Sequence, residues 1–114
     1  MADHITLEPA EGTWTVRAGG AVLGETDEAV ILREGDYPPV TYFPRDSIAM
    51  AFLDKTDKVT TCPHKGEAAH FSIQTKSVTI ENAAWSYEEP KEEMAQIARH
   101  LAFYPSDRVV IEEI

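Results

Sequence analysis

Two alternating runs joined by a Gly-Gly pair constrain this chain more than any other feature. Thr13-Trp14-Thr15-Val16-Arg17-Ala18 puts Trp14, Val16 and Ala18 on one face of an extended strand. Gly19-Gly20 follows, and Ala21 to Thr26 reads as the returning strand. Glycine accepts the positive φ that tight hairpin turns need, so the pair predicts an antiparallel hairpin. A chain that commits its first quarter to a hairpin starts as a sheet protein.

The rest continues that pattern. Glu28 to Arg33 reads as a third strand, residues 34–39 as a loop rich in turn formers, and Val40 to Phe43 as a short strand ending at Pro44. A short helix is predicted over 46–53, capped by Asp46 or Ser47, with Ile48, Ala51 and Phe52 on one face. Lys58–Thr61, Ala68–Thr75 and Ser77–Tyr87 read as strands, with a bend or bulge expected at Asn82-Ala83-Ala84. A second helix is predicted over 91–101. Pro90 starts it, and Met94, Ile97, Ala98 and Leu101 form its buried stripe. Val109 to Glu112 closes the chain as a strand. The expected fold is mainly β in an α+β arrangement: an antiparallel, sandwich-like single domain over residues 1–114 with two short helices.

Charge and cysteine content narrow the function. Twenty acids against ten Lys and Arg leave a formal net charge of −10, with no basic run. Nucleic-acid affinity comes from neutralising phosphates, so no nucleic-acid partner is expected, and an anionic membrane surface is disfavoured likewise. Apolar runs are too short to cross a bilayer. The start Met1-Ala2-Asp3-His4 lacks the pattern of a secretory leader. One cysteine, Cys62, cannot form an intrachain disulfide, and a cytoplasmic location is expected. The four histidines are not spaced as metal ligands, no Gly-rich phosphate loop occurs, and no serine sits in a Gly-x-Ser-x-Gly turn. No metal and no cofactor are therefore expected.

Three segments could carry chemistry. Thr61-Cys62-Pro63-His64-Lys65-Gly66-Glu67 gathers a thiol, an imidazole, an ammonium and a carboxylate into one turn. Cys62 is the candidate nucleophile and Lys65 or His64 the cation that would favour its thiolate; the alternative is a buried structural cysteine beside a solvated lysine. In Ala84-Trp85-Ser86-Tyr87, Trp85 and Tyr87 share a strand face and could wall a pocket or form a core pair. In Tyr42-Phe43-Pro44-Arg45-Asp46, Tyr42 is a candidate wall residue. Arg45 could grip an anion or pair with Asp46 or a helix-end carboxylate.

At these segments the chain resembles the family known as domain of unknown function 427. The motifs are Tyr42-Phe43-Pro44-Arg45, Thr61-Cys62-Pro63-His64-Lys65-Gly66-Glu67-Ala68, Ala84-Trp85-Ser86-Tyr87-Glu88-Glu89-Pro90 and Ala102-Phe103-Tyr104-Pro105. His70 stands where that family typically carries tyrosine. The resemblance implies a β-tent fold, akin to methionine sulfoxide reductase B, but the chain lacks the paired Cys-x-x-Cys zinc ligands of such proteins. The family also bears a nucleotidyltransferase-like label, for which the chain has no Gly-Ser and paired-acid signature. The expected function is a small-molecule pocket, with catalysis left open. Cys62 and Lys65 would be its reactive pair, and Tyr42, Arg45, His64, Trp85 and Tyr87 its binding residues. The alternative is a noncatalytic homo-oligomeric module in which the same motifs serve packing.

Overall fold

The computed structural model describes residues 4–114; the segment Met1-Ala2-Asp3, read above for a leader, lies outside the described residues. The hairpin forms as expected. Strands β2 (Trp14–Ala18) and β3 (Ala21–Thr26) pair antiparallel, and Gly19 and Gly20 turn between them with φ of 54° and 84°. Strand β10 (Val109–Glu113) pairs with β2 and completes a three-stranded sheet. A second such sheet has the order β1–β4–β5, from Ile5–Pro9, Val30–Glu34 and Val40–Tyr42. The third has four strands in the order β6–β7–β8–β9, from Leu53–Cys62, Gly66–Gln74, Thr79–Ser86 and Ala102–Phe103. Neighbouring strands in all three sheets run antiparallel.

The four-stranded sheet is covered on both faces, which explains how one short chain builds two cores. Phe71 and Ile73 of β7 enter a core with Val16, Leu23, Phe43, Leu101 and Phe103. Ala68, one register face away, enters a second core with Ile5, Leu32, Tyr42, Tyr87, Met94 and Ile97. The same alternation sends Tyr42 and Phe43, and likewise Ala102 and Phe103, to different cores. The bulge expected near Asn82 is present. The β7–β8 register shifts between Phe71 and Ile73, and Asn82 takes a φ of 50°.

Neither expected α-helix forms among the described residues. Over 46–53 the chain makes two separate 3₁₀ turns, Arg45–Ser47 and Met50–Phe52. Between them the Ala49 N–H donates to Leu23 O at 2.8 Å and Ile48 bridges Gly24, so β3 takes the amides a helix would need. Neither Asp46 nor Ser47 caps a turn, and Ala51 is exposed. Over 91–101 only a 3₁₀ segment forms, Glu92–Ile97, broken at Met94, and Pro90 lies ahead of it. Met94 and Ile97 are still fully buried, because a three-residue turn eclipses positions i and i+3. Arg99 then takes a φ of 64° and donates its N–H to Tyr87 O, and Leu101 pairs with Phe43 as a bridge. Tertiary hydrogen bonding to strands outweighs local helix preference in both places. Strand β1 was not anticipated from the sequence, and β6 begins five residues before the expected Lys58.

Candidate functional site

Strand alternation decides which motif residues meet. Tyr42 on β5, Trp85 on β8 and Cys62 at the end of β6 all pack on the second core, and Tyr87 belongs to it. The Cys62–Gly66 turn is closed by Lys65 N–H to Cys62 O at 3.2 Å, and Gly66 permits it with a φ of 119°. Lys91 N–H donates to Lys65 O at 3.0 Å, which ties the turn to the 3₁₀ segment. Thus the Thr-Cys-Pro-His-Lys-Gly turn and the Ala-Trp-Ser-Tyr strand are brought to one place.

Lys65 is the centre of that place. Only 8% exposed, it donates from Nζ to Glu34 Oε1 at 2.8 Å and lies 5.9 Å from the Tyr87 ring centroid. Burial works against its charge, but interactions with Glu34 and Cys62 outweigh it and hold its pKa above the ordinary value. The hydrogen bond from Lys65, working against desolvation, keeps the Glu34 carboxyl below the usual carboxylate range. The second Glu34 oxygen has His4 Nε2 at 3.7 Å, beyond hydrogen-bond distance. His64 is exposed and stands edge-on to the His4 ring, at the rim of the cluster.

An aromatic group adjoins it. Trp85 Nε1 donates to Tyr42 Oη at 3.3 Å, and burial pushes that hydroxyl well above the ordinary tyrosine value. Burial also raises the Tyr87 and Tyr104 hydroxyls. Tyr104 lies 4.3 Å from Trp85 between ring centroids and stacks on His70. His70 is fully buried, with Nε2 3.2 Å from Tyr104 Oη, and burial lowers its pKa.

Beside this cluster opens a cleft of about 860 Å³, lined by residues of all three sheets. Its walls are mainly apolar: Trp14, Ile31, Tyr37, Trp85, Phe103 and Ile111, with Pro38, Pro39 and Pro105 at the loops. Glu34 and Trp85 belong both to the cleft wall and to the motif cluster. Tyr42, Cys62, Lys65 and Tyr87 stand behind the wall and do not line it. Sequence reasoning missed Glu34, Trp14 and the 37–39 loop as site residues. Glu34 read as part of a loop, and nothing in its neighbourhood announced a lysine 31 residues away.

Arg45 is elsewhere. Ser86, adjacent to Trp85, faces the opposite way and accepts from Arg45 Nη2 at 3.1 Å. The same guanidinium donates to Glu88 Oε2 at 3.0 Å and to Arg99 O at 2.9 Å, and lies over the Phe71 ring. Glu88 also receives Lys55 Nζ at 2.6 Å, and this bond chiefly holds its carboxyl below the usual range. The arginine clamps three segments together and is not among the residues lining the cleft.

With this geometry in hand, the four motifs have a common setting. The chain belongs to the family described as domain of unknown function DUF427, whose family model matches residues 6–113. No curated protein matches the sequence.

Proposed function

We propose that this DUF427 domain binds a small organic molecule in the cleft against Trp85. Trp14 and Trp85 serve as its apolar walls and Glu34 as its polar contact. One observation supports this above the rest: the two cleft residues that reach the motif cluster are each held from behind, Trp85 by Tyr42 and Glu34 by Lys65. A wall positioned by partly buried hydrogen bonds is preorganised, and preorganisation lowers the cost of binding. The volume of about 860 Å³ suits a drug-sized ligand. In this reading Tyr42 and Lys65 are positioning residues, His64 is a rim residue, and Tyr87 supports Lys65.

A second reading makes Cys62 and Lys65 a reactive pair, favoured by the tight turn that Lys65 N–H closes on Cys62 O at 3.2 Å. The ammonium is already matched by the Glu34 carboxylate, which weakens its pull on the sulfur. Alkylation of the folded protein by iodoacetamide separates the two. A rate that Lys65→Met slows supports the reactive pair, and a rate that it leaves alone supports the positioning role.

Both tryptophans of the chain line the cleft, so intrinsic fluorescence reports its occupancy. Titration with cyclohexanol, benzyl alcohol and 2-phenylethanol, excited at the red edge of tryptophan absorption where none of them absorbs, is expected to change the emission saturably, with Trp14→Phe and Trp85→Phe each removing part of the change. If none of the three binds at millimolar concentration, or if binding leaves the emission of both tryptophans unaltered, the cleft is not a ligand site.

A further inference from the structure

The cleft does not present donors and acceptors evenly. The Trp14 indole N–H is spent on Glu11 O at 3.1 Å and the Trp85 indole N–H on Tyr42 Oη at 3.3 Å. Both rings therefore offer the cleft their apolar surfaces and not their N–H donors. Glu34 offers a carboxylate whose Oε1 is taken by Lys65 and whose Oε2, among the described residues, has only His4 Nε2 nearby, at 3.7 Å and beyond hydrogen-bond distance. Lys65, which balances that charge, is not part of the cleft wall. Among the described residues the one Lys or Arg in the wall is Arg33, and its Nε is engaged by Glu8 Oε1 at 2.6 Å.

From this arrangement we infer that the ligand is an organic cation: an ammonium carried on a flat apolar body, with the charge at Glu34 and the body against the tryptophans. The inference rests on the cleft reading above and adds the chemical class. An ammonium donates to an ionised carboxylate through a charge-assisted hydrogen bond, which is stronger than a neutral one. Indole faces attract the same cation through their quadrupole. The net charge of −10 raises the local concentration of cations and lowers that of anions. An alcohol of the same shape fills the cleft but forms only a hydrogen bond to Glu34, and a carboxylate of that shape meets a like charge.

The test compares 2-phenylethylamine, 2-phenylethanol and 3-phenylpropionate, which share a ring and a short chain and differ in charge. Binding is read by tryptophan fluorescence and by chemical shifts of the indole N–H groups. The amine is expected to bind about tenfold more tightly than the alcohol, the advantage of a hydrogen bond between charged partners. The propionate is expected to bind weakest. Added salt should reduce the amine's advantage. Glu34→Gln should bring the amine down to about the alcohol's affinity and should weaken the alcohol far less, since the hydroxyl can still hydrogen-bond the glutamine amide. That variant leaves the Lys65 ammonium buried without its partner, so Glu34→Gln/Lys65→Met serves as the folded equivalent and should behave the same way. Equal binding of amine and alcohol overturns the cation assignment and leaves the cleft reading intact. Tighter binding of the propionate, or a preference for the amine that survives loss of Glu34, overturns it as well. Failure of all three compounds overturns both readings.

Discussion

Glu34 and Lys65 are the residues on which the proposed site depends, and they are easily separated by mutation. Glu34→Gln removes the charge that balances a lysine only 8% exposed. A pair broken at a buried site costs about 3–5 kcal/mol, and the partial exposure of Glu34 reduces that to roughly 2 kcal/mol. Glu34→Gln/Lys65→Met should recover most of the loss, since neither partner is then left charged. Denaturant midpoints of the three proteins check both statements. The pair also sets an acid limit. Glu34 has a folded-state pKa below its unfolded value, so its contribution is present above the ordinary carboxylate pKa and is lost as pH falls through the folded one. Glu88, held down chiefly by Lys55, adds to the same limit. The fall in stability between about pH 5 and pH 2 should therefore be shallower in Glu34→Gln than in wild type. Cys62, Lys65, Trp85, Tyr42 and Tyr87 were legible as a group from motif chemistry. Glu34 was not, because its role comes from a partner on another sheet.

Elements in this fold are selected by what they pair with. Leu101 was expected on an α-helix and instead sits in an isolated bridge with Phe43, yet it is fully buried either way. Leu101→Asp should destabilise the domain by at least about 3 kcal/mol, the loss of a buried leucine plus a charge without a partner. An unchanged thermal midpoint would place Leu101 at the surface. Gly24 tests the bridge between β3 and Ile48. A Cβ there would lie 2.6 Å from Ser47 O and 2.5 Å from Ile48 Cδ1, and the first of these is backbone. Gly24→Ala should cost about 1–3 kcal/mol through overpacking, read as a lower denaturant midpoint with an unchanged slope. Of the apolar stripe expected over 91–101, Met94, Ile97 and Leu101 are buried and Ala98 is half-buried, but the conformation is not the expected helix. Periodicity reports which side chains leave water, and a 3₁₀ turn followed by a bridge satisfies that demand as an α-helix would.

On the scale of the whole molecule, charge and burial set the working range. Burial raises the hydroxyl pKa of Tyr42, Tyr87 and Tyr104, and interaction with Glu34 and Cys62 raises that of Lys65 against the opposing effect of burial. In every case the folded state holds its proton more firmly than the unfolded chain. Stability from these groups is complete below the unfolded values, near pH 10, and is lost as pH rises through the folded ones. A steep loss of stability above about pH 10 is expected, which thermal melts across pH 8 to 11.5 would reveal. The net charge of −10 leads to a further expectation, no measurable binding to an ordinary oligonucleotide at physiological salt. Micromolar affinity that weakens with added salt would show a basic face hidden in the overall balance. Among the described residues no helix is long and apolar enough to cross a membrane.

By itself the sequence determined that the chain is a β protein, where its first hairpin turns, which residues are withdrawn from water and which motifs deserve scrutiny. Those properties follow from short-range causes: a two-residue period, glycine's access to positive φ, and the apolarity of single side chains. Only the tertiary structure decided that Arg45 leaves the motif cluster for Ser86 and Glu88, that Lys65 finds Glu34, and that Trp14 joins Trp85 around one cleft. It also decided that two segments with helical patterns give their amides to strands. These outcomes depend on contacts between residues far apart in the chain, and the energy of a pair is not written at either of its positions.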